Sequence, residues 1–148
     1  MTGTPPTLAA LTTYLLSKTG KAARGRLAAH LSGEGLRLWH MAVLAALADF
    51  GPQAQRDLAA RLVIDPSDMV KVIDELAAAD CVERARDTAD RRRVRVALTP
   101  AGRDRLAALT ARAEAVQDEV LAPLDAADRA RLHALLLRVY EALPAGPE

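Results

Sequence analysis

The chain has 148 residues and a formal charge of only +1, with 51% hydrophobic and 3% aromatic residues. These values fit one folded domain with a core of Leu, Val and Ala, and they exclude a disordered chain. No apolar run reaches the roughly 20 residues of a membrane-spanning helix, and the start MTGTPPTLAA lacks a secretory signal pattern. We therefore expect a cytoplasmic protein without membrane contact. Cys81 is the only cysteine and the three histidines are scattered, so we expect no disulfide, metal or cofactor.

The first third of the chain predicts two helices. Thr7 can cap a helix over residues 8–31, which carries leucines at helical spacing. Residues 32–35 include two glycines and end that helix. A second helix is predicted over residues 36–49, and the Gly-Pro pair at 51–52 closes it.

The next two helices predict a helix-turn-helix. The first covers residues 54–62. The second has Asp65 as its N-cap and Pro66 at its first helical position, and it covers residues 66–80. Two short helices joined by a tight turn are typical of this motif. The second helix turns its apolar residues inward: Met69, Val72, Ile73 and Leu76.

A basic β-hairpin is predicted over residues 82–98. Strand-like segments at 82–86 and 93–98 flank a turn at 87–92. Between positions 81 and 95, six arginines stand against three acids, which gives a local charge of +3 in a nearly neutral chain. A helix-turn-helix followed directly by a basic hairpin is typical of a winged helix, and such local basic charge is typical of nucleic-acid binding.

Two further helices are predicted towards the C-terminus. Thr99 can cap one over residues 99–121, with Pro100 in its first turn. Asp125 can cap the last, over residues 125–143. The predicted fold class is therefore mainly α with a small β-hairpin wing.

Several segments at fixed offsets carry a resemblance to a known family. They are DTADRR at 87–92, LTPAG at 98–102, DLAARL at 57–62, VIDEL at 72–76 and CVER at 81–84. Over nearly its whole length the chain resembles MarR-type transcriptional regulators, whose wing reads Asp-Pro-x-Asp-Arg-Arg before a strand that ends in Leu-Thr-x-x-Gly. The resemblance implies one domain over residues 1–148. It has a winged helix-turn-helix lobe at 36–98, a connecting helix at 99–121, and a dimerisation lobe from the helices at 8–31 and 125–143.

The chain departs from the family pattern at four positions. Val63 stands where the family commonly has Gly between the two helices, and a β-branched residue at positive φ would be strained. Thr88 replaces the usual Pro. Arg93 and Arg95 replace residues that are often small or aliphatic, which makes this wing more basic than usual.

The helix at 66–80 is the predicted recognition helix. Ser67 and Lys71 can contact phosphates or base edges in the major groove, and Val70 can meet a thymine methyl group. Asp68 is also predicted on this face, although its only role can be to interact with the positive end of the helix dipole.

The resemblance implies that the wing enters the minor groove. Arg92 occupies the position of the inserted arginine, and Asp90 would orient it through a charge-assisted hydrogen bond. Arg91 and Arg93 complete the predicted wing contacts, with Arg95 adding charge behind them. The alternative is a solvated run of charges with no ligand.

Helix-turn-helix proteins usually bind DNA as two-fold dimers. The apolar stripe on the last helix, together with the first helix, predicts a homodimer interface; the alternative is an ordinary intrachain core. The predicted interface residues are Leu8, Leu11, Leu15, Leu132, Leu135, Leu136, Val139 and Leu143.

Members of the family are often switched by small aromatic or phenolic ligands bound between the dimer helices and the DNA-binding lobe. Five residues lie on segments that could line such a crevice: Tyr14, His30, Arg37, Trp39 and His40. For each of them, a structural role in the core or on the surface is the alternative. Cys81 follows the recognition helix in an apolar slot, which favours a buried structural thiol over a redox sensor.

The sequence therefore predicts a regulator of transcription, most simply a repressor, that binds a pseudo-palindromic operator on double-stranded DNA as a homodimer. Three alternatives remain: an architectural or constitutive DNA-binding protein without an effector, a winged helix that contacts proteins, and a cysteine-based redox sensor. No nucleophile–base pair, phosphate-binding glycine loop or metalloprotease motif supports an enzyme.

Overall fold

The structure is a computed structural model that describes residues 3–33 and 35–144. Its elements confirm a mainly helical fold with a small antiparallel sheet, as predicted. In chain order they are α1 (Pro6–Ala9), α2 (Thr12–Ser32), α3 (Leu38–Phe50), β1 (Gln53–Ala54), α4 (Gln55–Leu62), α5 (Pro66–Ala78), β2 (Val82–Arg86), β3 (Val94–Leu98), α6 (Pro100–Val120) and α7 (Ala126–Ala142). Within the described residues, no helix combines the length and apolar character needed to cross a bilayer.

The core lies between the helix-turn-helix and its neighbours. The four apolar residues of α5 that the sequence turns inward are all buried. They pack with side chains of α3, α4, β3 and α6 that are fully enclosed: Leu44, Leu58, Val96 and Leu109. Burial of large aliphatic side chains supplies the main favourable free energy of folding. The core therefore fixes α5 and the sheet as one rigid lobe.

The sheet has the strand order β1-β3-β2, with both pairs antiparallel. β2 and β3 form the predicted hairpin, with Val82 opposite Leu98 and Arg86 opposite Val94. β1 was not predicted, since two residues carry no hydrophobic alternation. It pairs with β3 at Val96 and Arg95, which ties the wing to the chain that enters α4.

The N-terminal helix differs from the prediction of one helix over 8–31. The structure has two helices, α1 and α2, because the chain is extended at Leu11 (φ −93°, ψ 115°). Thr7 is not the cap either, as it lies inside α1, which begins after Pro5. Glu34, in the predicted glycine-rich break, lies outside the described residues.

Other predicted helix boundaries shift by one or two residues, and the structure explains three of these shifts. α3 begins at Leu38, because Arg37 is extended and acts as its N-cap. α4 begins at Gln55, because Ala54 belongs to β1. α5 ends at Ala78 instead of residue 80, since Asp80 has a positive φ of 60° and turns the chain into β2.

Val63 has the left-handed conformation that the family glycine suggested, with φ 53° and ψ 47°. Its N–H donates to the carbonyl of Ala60, and the N–H of Ile64 donates to that of Ala59. This closes α4 and brings Ile64 into the core, where it is buried. An L-residue pays roughly 1–2 kcal/mol in this region, so the turn between α4 and α5 is strained.

The junction between the wing and α6 explains why the LTPAG segment has a threonine at position 99 and a glycine at position 102. Thr99 caps α6 by accepting the N–H of Gly102 at 2.9 Å, and its hydroxyl donates to the carbonyl of Asp80 at 2.6 Å. The N–H of Thr99 donates to the carbonyl of Cys81 at 3.0 Å. A Cβ at Gly102 would lie 2.0 Å from that Cys81 oxygen, so only glycine fits between α6 and the start of β2.

Candidate nucleic-acid interface

The start of α5 is fixed by Asp65, as predicted. Its carboxylate accepts the backbone N–H of Ser67 at 2.8 Å and also the hydroxyl of Ser67, and Pro66 is the first helical residue. The hydrogen bonds from the Ser67 side chain and backbone lower the pKa of Asp65, because they favour the charged carboxylate. The cap thereby orients the N-terminal turn of α5.

This cap gives the fold a defined pH dependence. The pKa of Asp65 in the folded protein lies below its usual 3.8. The stability that the charged carboxylate contributes is therefore complete above the unfolded pKa, and it is lost as the pH falls through the folded pKa. We expect Asp65→Ala to lower the melting temperature at pH 7 and to have a smaller deficit at a pH below 3.8. Asp65→Asn keeps a neutral cap and is the matched control. Thermal unfolding followed by circular dichroism at both pH values measures this; an equal deficit at both would contradict it.

Three of the predicted recognition residues project from α5. Ser67, Val70 and Lys71 are exposed, whereas Asp68 is half-buried in the first turn, near the helix N-terminus. The Ser67 hydroxyl already donates to Asp65, so it must leave the cap before it can donate to a phosphate. Lys71 is thus the basic group that α5 offers directly.

Arg84 of β2 braces the recognition helix, a role that the sequence did not reveal. Its guanidinium donates to the carboxylate of Asp74 and to the carbonyl of Val70 at 3.4 Å. It also donates to the side chain of Gln55, at the start of α4, at 3.2 Å. One wing arginine therefore joins β2, α4 and α5. The CVER segment contained Arg84, but only the fold shows which groups it meets.

The turn of the wing is ordered by its own aspartates. Asp87 accepts the N–H groups of Ala89 and Asp90, which lower its pKa with help from the charges of Arg95 and Arg93. The N–H of Asp87 donates to the carbonyl of Arg93, and the N–H of Arg93 donates to the carbonyl of Asp90. These bonds make the tip a compact turn.

The tip presents Arg92 outward. Its side chain is 92% exposed, and its Nε lies 3.3 Å from the carboxylate of Asp90, which also accepts the Arg92 N–H at 3.0 Å. The predicted orienting contact between these two residues is therefore present. Arg91 is exposed beside Arg92, and its carbonyl accepts from Arg86 at 2.8 Å.

Arg93 is half-buried, and Arg95, although exposed, bonds back to the lobe. The guanidinium of Arg93 lies 2.6 Å from the carboxylate of Asp57 on α4, and its side chain is only 30% exposed. Arg95 donates to the carbonyl of Pro52 at 3.1 Å. Arg93, which the sequence predicts as a DNA contact of the wing, is thus paired with an acid of α4 in the structure.

The five predicted effector residues differ widely in their exposure. His40 is fully buried: its Nδ1 accepts the N–H of Arg37 at 2.8 Å, and its Nε2 donates to Glu75 of α5 at 2.6 Å. The side chain of Arg37 lies 3.6 Å from the same carboxylate. His40 is therefore a structural link between α3 and α5, which is the alternative role that the sequence left open for it. The other residues are Trp39 and His30, both exposed, and Tyr14, which is half-buried beside Lys18.

The predicted dimer residues lie on the surface of the single chain. No residue of α7 is buried, although its sequence is rich in leucine. α2, α6 and α7 border an apolar groove of about 670 Å³, lined in part by Leu15, Leu132 and Leu136. Seven of the eight predicted residues are exposed, and Leu132 is half-buried; the exposed ones are Leu8, Leu11, Leu15, Leu135, Leu136, Val139 and Leu143. An ordinary intrachain core at these positions is excluded.

Cys81 is buried, as predicted for a structural thiol. Its residue exposure is 3%, and its Sγ lies 3.6 Å from the carbonyl of Ala79. A thiol enclosed by apolar neighbours is the opposite of the partly exposed, electropositive setting of reactive cysteines.

Comparisons with known proteins agree with this geometry. A probable transcriptional regulator from Pseudomonas aeruginosa is 30% identical to this chain and superposes with a TM-score of 0.73. The match covers 89% of this chain and 98% of the regulator. A MarR-family regulator from Rhodococcus sp. RHA1 is 27% identical and gives a TM-score of 0.73, and the match covers 86% of this chain and 90% of the regulator. BpsR from Bordetella bronchiseptica, whose DNA binding is regulated by 6-hydroxynicotinic acid, is also 27% identical, with 86% and 97% coverage and a TM-score of 0.71.

Among curated proteins, none matches the chain by sequence. The family model that matches is that of the MarR family, over residues 34–93, which hold the helix-turn-helix and most of the wing. The similarity to solved regulators covers 86 to 89% of the chain, so it extends beyond this match on both sides. The chain belongs to the MarR family of transcriptional regulators.

Proposed function

We propose that this chain is a repressor that binds a pseudo-palindromic operator as a homodimer and acts in the cytoplasm. The observation that carries the proposal is that the exposed face of α5 and the tip of the wing are held side by side. Arg84 holds the exposed face of α5 next to the wing, while Arg92 projects from the tip with 92% of its side chain exposed. A helix for the major groove and an arginine for the neighbouring minor groove thus belong to one rigid unit.

Each surface has its own part in binding. Lys71 and, after release from its cap, Ser67 contact phosphates or base edges, and Val70 offers a methyl-sized apolar contact to thymine. Asp68 supports the positive end of the helix dipole. Arg91 and Arg92 displace counterions from the backbone, and the narrow minor groove of A·T-rich sequence attracts Arg92 most strongly.

The dimer follows from the unburied apolar surface. α7 has leucines on its surface and no buried residue, so apolar packing within its own chain stabilises it little. A second copy that packs its helices into the α2–α6–α7 groove would cover the predicted interface residues. Two lobes related by a two-fold axis would then meet half-sites about one helical turn apart.

Substituting Leu136 tests the dimer. This residue lines the groove and is 38% exposed in the single chain. We expect Leu136→Glu to shift the protein from dimer to monomer at micromolar concentration, because the interface would bury an unpaired charge. Phe50→Glu is the matched control, since Phe50 is 62% exposed at the end of α3, away from α7. Light scattering during size-exclusion chromatography gives the mass; a dimeric Leu136→Glu protein would refute the interface.

A small aromatic or phenolic effector is the proposed switch. Support comes from the relative BpsR, whose DNA binding responds to 6-hydroxynicotinic acid. Arg37 and Trp39 remain exposed at the start of α3 and could contact such a ligand. A ligand that engages Arg37 would act on the carboxylate of Glu75, which belongs to α5.

Mobility-shift binding to DNA from the gene's own promoter region tests the function. We expect the specific site to bind at least about 10³-fold more tightly than random DNA of equal length, with a steep dependence on salt. Equal affinity for both DNAs would favour an architectural protein, and no binding to either would favour a winged helix that contacts proteins. Adding candidate aromatic acids to the same assay tests for an effector.

A further inference from the structure

We propose that Arg93 is a positioning residue for the wing, which Asp57 of α4 holds in place, and that it does not bind DNA itself. This proposal rests on the DNA-binding function proposed above. It also assigns Asp57, an exposed acid in the first turn of α4, a part in binding a polyanion.

The first argument is the state of the Arg93 side chain. Its guanidinium meets the Asp57 carboxylate at 2.6 Å, and only 30% of the side chain is exposed, against 92% for Arg92. The Nε of Arg93 is buried and makes no hydrogen bond in the structure. A guanidinium that projected towards DNA would keep its donors in water or on phosphates, so this one is committed to the protein.

The second argument is the place of Arg93 in the turn. Its backbone makes both hydrogen bonds that close the wing loop, from its N–H to the carbonyl of Asp90 and from the N–H of Asp87 to its own carbonyl. Fixing the side chain of Arg93 on α4 therefore fixes the base of the loop. Because Asp90 also orients Arg92, the clamp reaches the exposed arginine through one residue.

The third argument is that the clamp completes a three-point attachment. Arg84 joins the wing to α5 and to Gln55, and Arg95 joins it to the carbonyl of Pro52 ahead of β1. Arg93 adds a second attachment to α4, at Asp57, two residues beyond Gln55. Half of the six arginines between positions 81 and 95 thus anchor the wing, which explains why so much positive charge stands on one hairpin.

The two possible roles of Arg93 predict opposite effects for Asp57→Asn. If Arg93 bound phosphate, removing its acidic competitor would release the guanidinium and strengthen binding. If Arg93 positions the wing, the same change weakens binding although it removes a negative charge. We expect operator affinity to fall about 3- to 10-fold, which is the scale of ordering one or two side chains at an interface.

The experiment measures operator affinity of the full-length protein for a set of matched variants. Asp57→Asn and Arg93→Gln should weaken binding to the same extent, and their combination should cost no more than either alone. The reversed pair, Asp57→Arg with Arg93→Asp, should recover most of the loss. Asp104→Asn, an exposed acid on α6, is the control for the change of charge and should leave affinity unchanged. Tighter or unchanged binding by Asp57→Asn would overturn the proposal.

A second background separates positioning from loss of stability. With Arg92→Ala already in place, the wing lacks the arginine that Asp90 orients, so adding Asp57→Asn should lower affinity much less than it does in the unmodified chain. A full additional loss would show that Asp57 acts by stabilising the lobe as a whole, and it would overturn the proposal.

Amide hydrogen exchange without DNA keeps the test independent of the proposed function. We expect the N–H groups of Asp87 and Arg93 to exchange faster in Asp57→Asn and in Arg93→Gln, while the amides of α5 keep their protection. Unchanged exchange at the loop would refute the clamp. If the unmodified chain bound no DNA, the proposed function would fail, and this measurement would still decide whether Arg93 orders the wing.

Discussion

Replacing Arg92 with Ala is expected to weaken operator binding about 10-fold or more and to reduce the salt dependence of binding by about two units of log–log slope per dimer. The side chain is 92% exposed, so its loss removes no core packing. What disappears is one inserted cation per wing and the counterions that it would displace. Mobility shifts over a series of salt concentrations measure both quantities.

Arg103→Ala is the control for the loss of one positive charge. Arg103 lies on α6 in a shallow hollow with Ala48, on a part of the lobe that holds neither wing nor recognition helix. Its loss should change neither the affinity nor the slope. If Arg92→Ala bound the operator as tightly as the unmodified protein, with the same slope, the wing would have no part in DNA binding.

Gly102→Ala is expected to have the largest effect on folding, a loss of at least about 3 kcal/mol in the free energy of unfolding. The added Cβ would stand 2.0 Å from the carbonyl oxygen of Cys81 and 2.7 Å from Cδ1 of Leu98. The leucine can move, but the carbonyl cannot, because it belongs to the backbone and accepts the N–H of Thr99. The start of α6 must therefore separate from the start of β2.

Gly25→Ala makes the same chemical change in the opposite environment. Gly25 lies inside α2, and a Cβ there would meet nothing within 4 Å. We expect Gly25→Ala to stabilise the protein by about 0.5–1 kcal/mol, as alanine favours a helix over glycine. Urea unfolding of both variants gives the two values. A Gly102→Ala protein as stable as the unmodified chain would show that this junction is loose.

Local signals predicted those parts of the fold that depend on near neighbours along the chain. Asp65 with Pro66 marked the start of α5, and Asp87 to Arg92 marked the turn of the wing, because caps and turns are settled within a few residues. The outward face of α5 followed from helical spacing in the same way. The left-handed conformation of Val63 was predictable only from the glycine that the family commonly has there. The structure confirms a positive φ at this valine and, with it, the expected strain.

The contacts that were not predicted join residues far apart in sequence. Asp57 and Arg93 are 36 positions apart, and Arg84 and Gln55 are 29 apart, so no periodicity connects them. Nothing in the sequence indicated that the buried His40 pairs with Glu75, which lies 35 residues away. An arginine in a basic run looks the same in sequence whether it faces a phosphate or a carboxylate. Only the packing of α4 and α5 against the wing decides between them.

The single thiol of the chain gives it a chemical reporter of its own opening. Cys81 sits where α5, β2 and α6 meet, and its backbone bonds to Leu76 and Thr99 join these three elements. A thiol-specific reagent can reach it only when that junction parts, so the rate of modification measures the rate or the free energy of opening. No label has to be introduced, because the sequence holds no second cysteine. If operator DNA binds only the closed lobe, it should slow the modification of Cys81 by the same factor by which it lowers the population of the open form.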